Sequence, residues 1–228
     1  MRPISFRGIL FDLDGTLVDN MMVHHRAWQR KLSELGLEYS LERVKEEIHG
    51  VNLEILERLF GDTYTPEDRI RIAGEKEAAY RDIFAPELEA NTVGGALDFI
   101  KAAYAQDVPM AIATAGPEEN AFFVIDRLGI REMLGHVVHS GMVTSGKPDP
   151  EVFRLAAEGI GVAVAECLIF EDSVTGAQAA NNAGCPVVVL TTTHQREEFR
   201  GLKVAAFRED FRGLIVERVE GEGFLLAL

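Results

Sequence analysis

Gly8-Ile9-Leu10-Phe11-Asp12-Leu13-Asp14-Gly15-Thr16 joins four residues without charge to a polar turn that holds two aspartates. Its apolar half, Gly8 to Phe11, is short and stops abruptly at Asp12. A run bounded in this way suits a strand buried on both faces, as in a parallel sheet covered by helices. Three further runs share the pattern: Val108 to Ala113 stops at Thr114, Cys167 to Phe170 at Glu171-Asp172, and Pro186 to Leu190 at Thr191. Helical segments separate them. Pro117 opens one that closes at Gly129, Pro150 opens another that stops at Gly159, and an Ala-rich one runs from about Val174 to Gly184. Strands alternating with helices predict an α/β domain, a Rossmann-like three-layer sandwich with a mainly parallel sheet and right-handed crossovers.

Residues 20–90 break that rhythm and read as consecutive helices. Met21, Trp28, Leu32 and Leu35 share a face before Gly36, and Ser40 caps a helix carrying Leu41, Val44 and Ile48 that ends at Gly50. Leu53, Leu56 and Phe60 mark the next helix, and Thr65-Pro66-Glu67-Asp68 opens the one holding Ile70, Ala73 and Tyr80. The expected organisation is an α/β core from residues 1–19 and 91–228, with a helical cap at 20–90 placed over the active site. Val18 to Asn20 and about Leu88 to Gly95 would be its hinges.

The whole chain sets outer limits. Its 37 acidic and 23 basic side chains leave a net charge of −14 over 228 residues. That surface argues against nucleic acid and anionic membranes, which need clustered Lys and Arg. A small anionic substrate would need a local group of cations against the general field. Cys167 and Cys185 form no Cys-x-x-Cys pair and read as reduced thiols near the core. The start, Met1 to Arg7, shows no apolar signal region and no run approaches a membrane span, so a soluble, cytoplasmic monomer or homodimer is expected. The apolar tail Gly221 to Leu228 is expected to dock on the body.

Ligands of open α/β sheets bind beyond the carboxyl ends of the strands, and each of these strands delivers polar groups there. Asp12 and Asp14, Thr114, and Glu171 with Asp172 lie at those ends; Lys147 sits in the turn-rich loop Thr144-Ser145-Gly146-Lys147-Pro148. Four neighbouring carboxylates repel one another and would not all stay ionised without a cation. A hard divalent ion with oxygen ligands answers that repulsion, and Mg2+ suits a phosphate partner.

Asp12-x-Asp14-Gly15-Thr16, then Thr114, then Lys147-Pro148, then Glu171-Asp172 resembles the four-motif signature of the haloacid dehalogenase superfamily. The helical insert after the first motif resembles the subgroup containing β-phosphoglucomutase and phosphoglycolate phosphatase. The resemblance implies that Asp12 attacks phosphorus and becomes an aspartyl phosphate, while Asp14 protonates the leaving oxygen and then activates the incoming nucleophile. It implies Mg2+ held by Asp12, the backbone carbonyl of Asp14 and Asp172, with Glu171 a ligand or just behind one. It also implies phosphoryl oxygens bound by Thr114 and the amides after it, beginning at Ala115, with Lys147 offsetting their charge.

In the same resemblance His24 and Trp28 fall where the mutase subgroup has a supportive His and a Trp, Lys76 on its cap lysine, and Gly50 on a cap-loop glycine. Trp28 also reads as a core aromatic, and His25 as a surface residue. Two positions depart from the mutase. Gly50-Val51-Asn52 is followed by Leu53 where an arginine would grip a distal phosphate, and Asn20 stands for the hinge threonine. Losing the distal clamp favours a phosphatase acting on a small phosphorylated metabolite, a sugar phosphate, over a hexose-phosphate mutase. A phosphoaspartate signalling switch would need neither Asp14 nor the helical insert, and a dehalogenase would not need the second Asp.

Overall fold

The apolar run at Gly8–Phe11 forms a strand with all four residues buried in the computed structural model, which describes residues 3–221 and 223–228. In chain order the elements are β1 (Ile4–Phe6), β2 (Gly8–Phe11), α1 (Met21–Glu34), α2 (Leu41–Glu47), α3 (Asn52–Phe60), α4 (Pro66–Phe84) and α5 (Ala96–Tyr104). They continue with β3 (Met110–Ala113), α6 (Glu118–Leu128), β4 (His136–Val138), α7 (Glu151–Gly159), β5 (Cys167–Glu171) and α8 (Val174–Ala183). The chain ends with β6 (Val187–Leu190), β7 (Ala206–Arg208), β8 (Ile215–Val219) and β9 (Gly223–Ala227). The chain divides into two compact units, one of residues up to Asp19 together with Asn91–Leu228, the other of Asn20–Ala90.

The first unit is built on a six-stranded sheet in the order β4-β3-β2-β5-β6-β7, with every pairing parallel. From β2 the chain winds outward to β3 and β4, then returns to β5 on the other flank of β2. That reversal opens a crevice beyond the carboxyl ends of β2 and β5. Successive residues of β2 serve opposite faces. Leu10 packs with Phe153, Ala156 and Ala177 from α7 and α8, whereas Phe11 stacks on Phe170 at 5.4 Å and meets Phe99 of α5 edge-on. Burying a Phe side chain fully contributes about 1.5–3 kcal/mol, so these rings anchor the strand ends that carry the polar residues.

The helix boundaries follow their caps. Pro117 and Gly129 bound α6, Pro150 precedes α7, and Gly184 closes α8 in the left-handed conformation. One strand is shorter than expected. The Val108 N–H closes the end of α5 on Ala103 O, and Pro109 has no N–H to give, so the strand starts at Met110. A second sheet, β1-β9-β8, is antiparallel. The apolar tail is its middle strand, β9, with Phe224 stacked on Phe6 at 5.7 Å.

The second unit is helical throughout, α1 to α4. Ser40 caps α2 by accepting from Arg43 N at 3.2 Å, and Thr65 caps α4 by accepting from Asp68 N at 3.1 Å. The helix expected to end at Gly50 ends at Glu47: Ile48 leaves the helical conformation, and Gly50 adopts φ +96. Trp28, Leu32, Val44, Ile55, Leu56 and Ile72 form its apolar centre. Where the chain leaves and re-enters the first unit, the two segments run side by side: Asp19 N donates to Asn91 O at 2.8 Å and Val93 N to Leu17 O at 3.0 Å. Among the described residues no helix is long and apolar enough to cross a membrane.

Candidate active site

Asp12 follows β2 directly, and its N–H donates to Phe170 O at 2.9 Å, which carries the β2–β5 pairing one step past the strand. The chain then turns sharply at Gly15, φ +83. A Cβ at this position would stand 2.1 Å from Oδ2 of Asp172, so only glycine lets the two loops approach. Asp12, Glu171 and Asp172 gather here, buried, with carboxylate oxygens within 4.8 Å of one another.

Glu171 and Asp172 are dressed differently. Oε2 of Glu171 accepts from Asp172 N at 2.7 Å, Ser173 N at 2.6 Å and Ser173 Oγ at 3.0 Å. Its Oε1 accepts from Lys147 Nζ at 2.7 Å. Both oxygens are therefore taken by fixed donors. Gly176 in the first turn of α8 makes room for this carboxylate, since a Cβ there would lie 1.7 Å from Oε1. Among the described residues, the Asp172 carboxylate receives hydroxyls alone, from Thr16 at 3.3 Å and from Thr193.

Lys147 bridges the group. Its Nζ donates to Asp12 Oδ1 at 2.5 Å as well as to Glu171, and its side chain is only 7% exposed. The loop that carries it is clamped by Glu151, whose Oε2 accepts from Thr144 N, Thr144 Oγ1 and Ser145 N at 2.8–2.9 Å. Asn182 of α8 secures Pro148 O at 2.9 Å.

Asp14 is half-buried, and its side chain is not one of the three clustered carboxylates. Thr114 Oγ1 donates to its Oδ2 at 3.4 Å and accepts from Gly116 N at 2.9 Å, while Thr114 N donates to Val138 O of β4. Ala115 is exposed in the bend between β3 and α6. Asp12, Asp14, Thr114, Lys147, Glu171 and Asp172 thus share one end of the sheet.

With three carboxylates ionised against one ammonium, the group would carry an excess of negative charge. Burial pushes the Asp12 carboxyl up to about 8; Lys147 opposes this, and Glu171 and Asp14 add to it. Burial likewise holds Asp172 well above the usual carboxylate range, with Glu171 and Asp12 contributing. Although burial disfavours its charge, the Lys147 ammonium is held above the usual lysine range by Asp12 and Glu171. A cluster of buried carboxylates with only one ammonium among them, and so an excess of negative charge, fits a hard divalent cation.

Of the residues singled out in the helical unit, His24, Trp28, Lys76 and Asn20 come together. Lys76 Nζ lies 3.0 Å from His24 Nδ1 and donates to Glu77 Oε1 at 2.9 Å, and Asn52 Nδ2 donates to that same oxygen at 2.6 Å. His24 stacks flat on Tyr80 at 4.0 Å, and Asn20 Nδ2 donates to Tyr80 Oη at 2.6 Å. Trp28 lies in the apolar centre with its ring 5.7 Å from Lys76 Nζ. Gly50 stands exposed between α2 and α3, and Leu53 is 42% exposed. His25, expected at the surface, is half-buried, its Nδ1 shielded from solvent.

Several participants went unnoticed in the sequence. Ser173, Gly176, Thr193, Glu77 and Asn52 each carry a contact above. A signal for one of them was present: the run ending at Leu190 is followed by Thr191-Thr192-Thr193, polar residues at a strand end like those at the other three strands.

A family model for haloacid dehalogenase-like hydrolases matches residues 6–184. The fructose-1-phosphate phosphatase of Escherichia coli K12 is 30% identical over 183 residues, covering 80% of this chain and 95% of that protein. The 6-phosphogluconate phosphatase of the same organism is 31% identical over 206 residues, covering 87% and 89%. Among solved structures, a β-phosphoglucomutase from Clostridium difficile superposes with a TM-score of 0.76 at 23% identity, covering 90% of this chain and 91% of that one.

Proposed function

This chain belongs to the haloacid dehalogenase-like hydrolases, and on that premise we propose that it is a Mg2+-dependent phosphatase acting on a small phosphorylated metabolite, a sugar phosphate, through an aspartyl phosphate at Asp12. The observation that carries the reading is Asp12 at the carboxyl end of the central strand β2, with Lys147 at 2.5 Å and Asp172 beside it at the end of β5. The relatives point to the same substrate class: fructose 1-phosphate and 6-phosphogluconate in their names are both phosphorylated carbohydrates.

Each residue then has a task. Asp12 Oδ2, the oxygen that Lys147 does not hold, attacks phosphorus, and the ester P–O bond breaks as the new one forms. Asp14 gives its proton to the departing alcohol, then takes one from the water that releases inorganic phosphate. Thr114 holds Asp14 through its hydroxyl, and the Ala115 amide offers a donor to a phosphoryl oxygen, since the Gly116 N–H is taken by Thr114 and Pro117 has none. Lys147 offsets charge on those oxygens, and Glu171 keeps it in place. Asp12, Asp172 and the backbone carbonyl of Asp14 would hold a divalent cation, which would supply electrostatic stabilisation of the transferring phosphoryl group.

We assign residues 20–90, a unit of their own, to a cap that selects the substrate. Its composition favours a hydrolase over a mutase. A mutase must retain a second phosphate, yet residue 53 is an exposed leucine, and Lys76 is paired with Glu77 at 2.9 Å. Two buried, free thiols fit the reducing cytoplasm, where we place the protein. The test is phosphate release from a panel of sugar phosphates with Mg2+. Wild-type protein is expected to release phosphate and Asp12→Asn to release none; activity that survives the substitution would sink the mechanism.

A further inference from the structure

The loop after β6 reaches into the site through two of its three threonines. Thr192 Oγ1 donates to Gly15 O, and Thr193 Oγ1 donates to Oδ2 of Asp172 while lying 3.3 Å from the Asp172 carbonyl. The Thr193 methyl stands 3.0 Å from where a Gly15 Cβ would be. A third strand therefore stitches together the loops of β2 and β5, which carry Asp12 and Asp172.

The chemistry of these donors is selective. Asp172 accepts one hydroxyl on each oxygen, Thr16 on Oδ1 and Thr193 on Oδ2. Neutral hydroxyls fix a carboxylate's orientation without cancelling its charge, so that charge stays available to a cation. Glu171, by contrast, spends one oxygen on an ammonium and the other on three donors. With Asp172 ionised, the single Thr193 hydroxyl proton is committed to it. The 2.9 Å contact between Thr193 Oγ1 and His194 Nδ1 is then one in which the imidazole donates. His194 is itself steadied edge-on against Phe199 at 6.1 Å.

We infer that Thr193, braced by His194, is a positioning residue for the divalent cation, fixing the orientation in which Asp172 faces Asp12. This rests on the phosphatase reading only for the presence of the cation. Partners behind metal ligands are commonly worth about 10–100-fold in affinity.

The test is Mn2+ titration followed by the electron paramagnetic resonance signal of the free ion, with no substrate present. Thr193→Val, which keeps the shape and loses the hydroxyl, is expected to bind Mn2+ about 10–100-fold more weakly. Thr193→Ser, which keeps the hydroxyl, is expected to bind close to wild type. Near-ultraviolet circular dichroism in EDTA checks that each variant is folded, and Thr193→Ala carries the same expectation if the valine does not fit. Wild-type affinity in the valine variant, or a serine variant as weak as the valine one, would overturn the role of the hydroxyl. Wild-type protein that binds no Mn2+ would instead remove the cation on which both readings depend.

Discussion

Lys147 Nζ lies 2.5 Å from Oδ1 of Asp12, and both side chains are 7% exposed. An ion pair this deep exists for a reason other than stability, because desolvation offsets much of the attraction. Removing one partner is a different matter, since it strands a buried charge. Lys147→Ala is expected to lower folding stability by about 3–5 kcal/mol and to reduce phosphate release by about 100-fold or more. Urea denaturation and initial rates measure the two effects, and a stable, active variant would contradict the placement.

Gly176→Ala tests the seat of Glu171. The new methyl would lie 1.7 Å from Oε1, so the carboxylate must leave its amides and release Lys147. A loss of about 1–3 kcal/mol is expected from the overpacking, together with a fall in kcat rather than a rise in KM. Steady-state kinetics on one sugar phosphate separates these outcomes.

The acid cluster makes cation binding depend on pH. Asp12 has its carboxyl raised from 3.8 to about 8 by burial, so the folded cation-free protein holds more protons than the unfolded chain between those values. Its contribution to stability therefore falls as pH rises through that window. A divalent cation displaces the proton and recovers what was lost. The rise in melting temperature on adding Mg2+ is expected to be larger at pH 8 than at pH 5. Equal rises at both values would contradict the cluster as the binding site.

Glu77→Ala probes the helical unit. It removes a carboxylate that pairs with Lys76, whose side chain is 3% exposed, and is expected to destabilise the unit by about 1–3 kcal/mol. Trp28 is the only tryptophan of the chain and lies in the apolar centre of that unit, so its fluorescence reports this unfolding directly. An unchanged urea midpoint in that signal would show that the pair is not a structural support.

The central strands were legible in the sequence because burial on both faces makes them apolar runs with sharp polar ends. Gly8–Phe11 and Cys167–Glu171 are of that kind. The edge strands were not: His136–Val138 and Ala206–Arg208 are three residues long and half-exposed, too short for any periodicity. In β8, Glu217 and Arg218 sit side by side and hide the alternation, while the helix Ala96–Tyr104 follows Gly94-Gly95 without a side-chain cap. Within the site, residues at strand ends could be read as a group. Thr193 shares a strand-end position, but the contact that sets it apart from Thr191 and Thr192 could not be read, nor could Gly176, because that importance lies in what stands within ångströms of each.

The most direct measurement is chemical trapping at Asp12. Protein turning over a sugar phosphate with Mg2+ would be quenched and treated with borohydride, which reduces an acyl phosphate to an alcohol, and then digested for mass spectrometry. Reduction at position 12, dependent on substrate and absent in Asp12→Asn, is the expected result. Turnover with no reduced residue, or with reduction at Asp14 or Asp172 instead, would contradict Asp12 as the nucleophile.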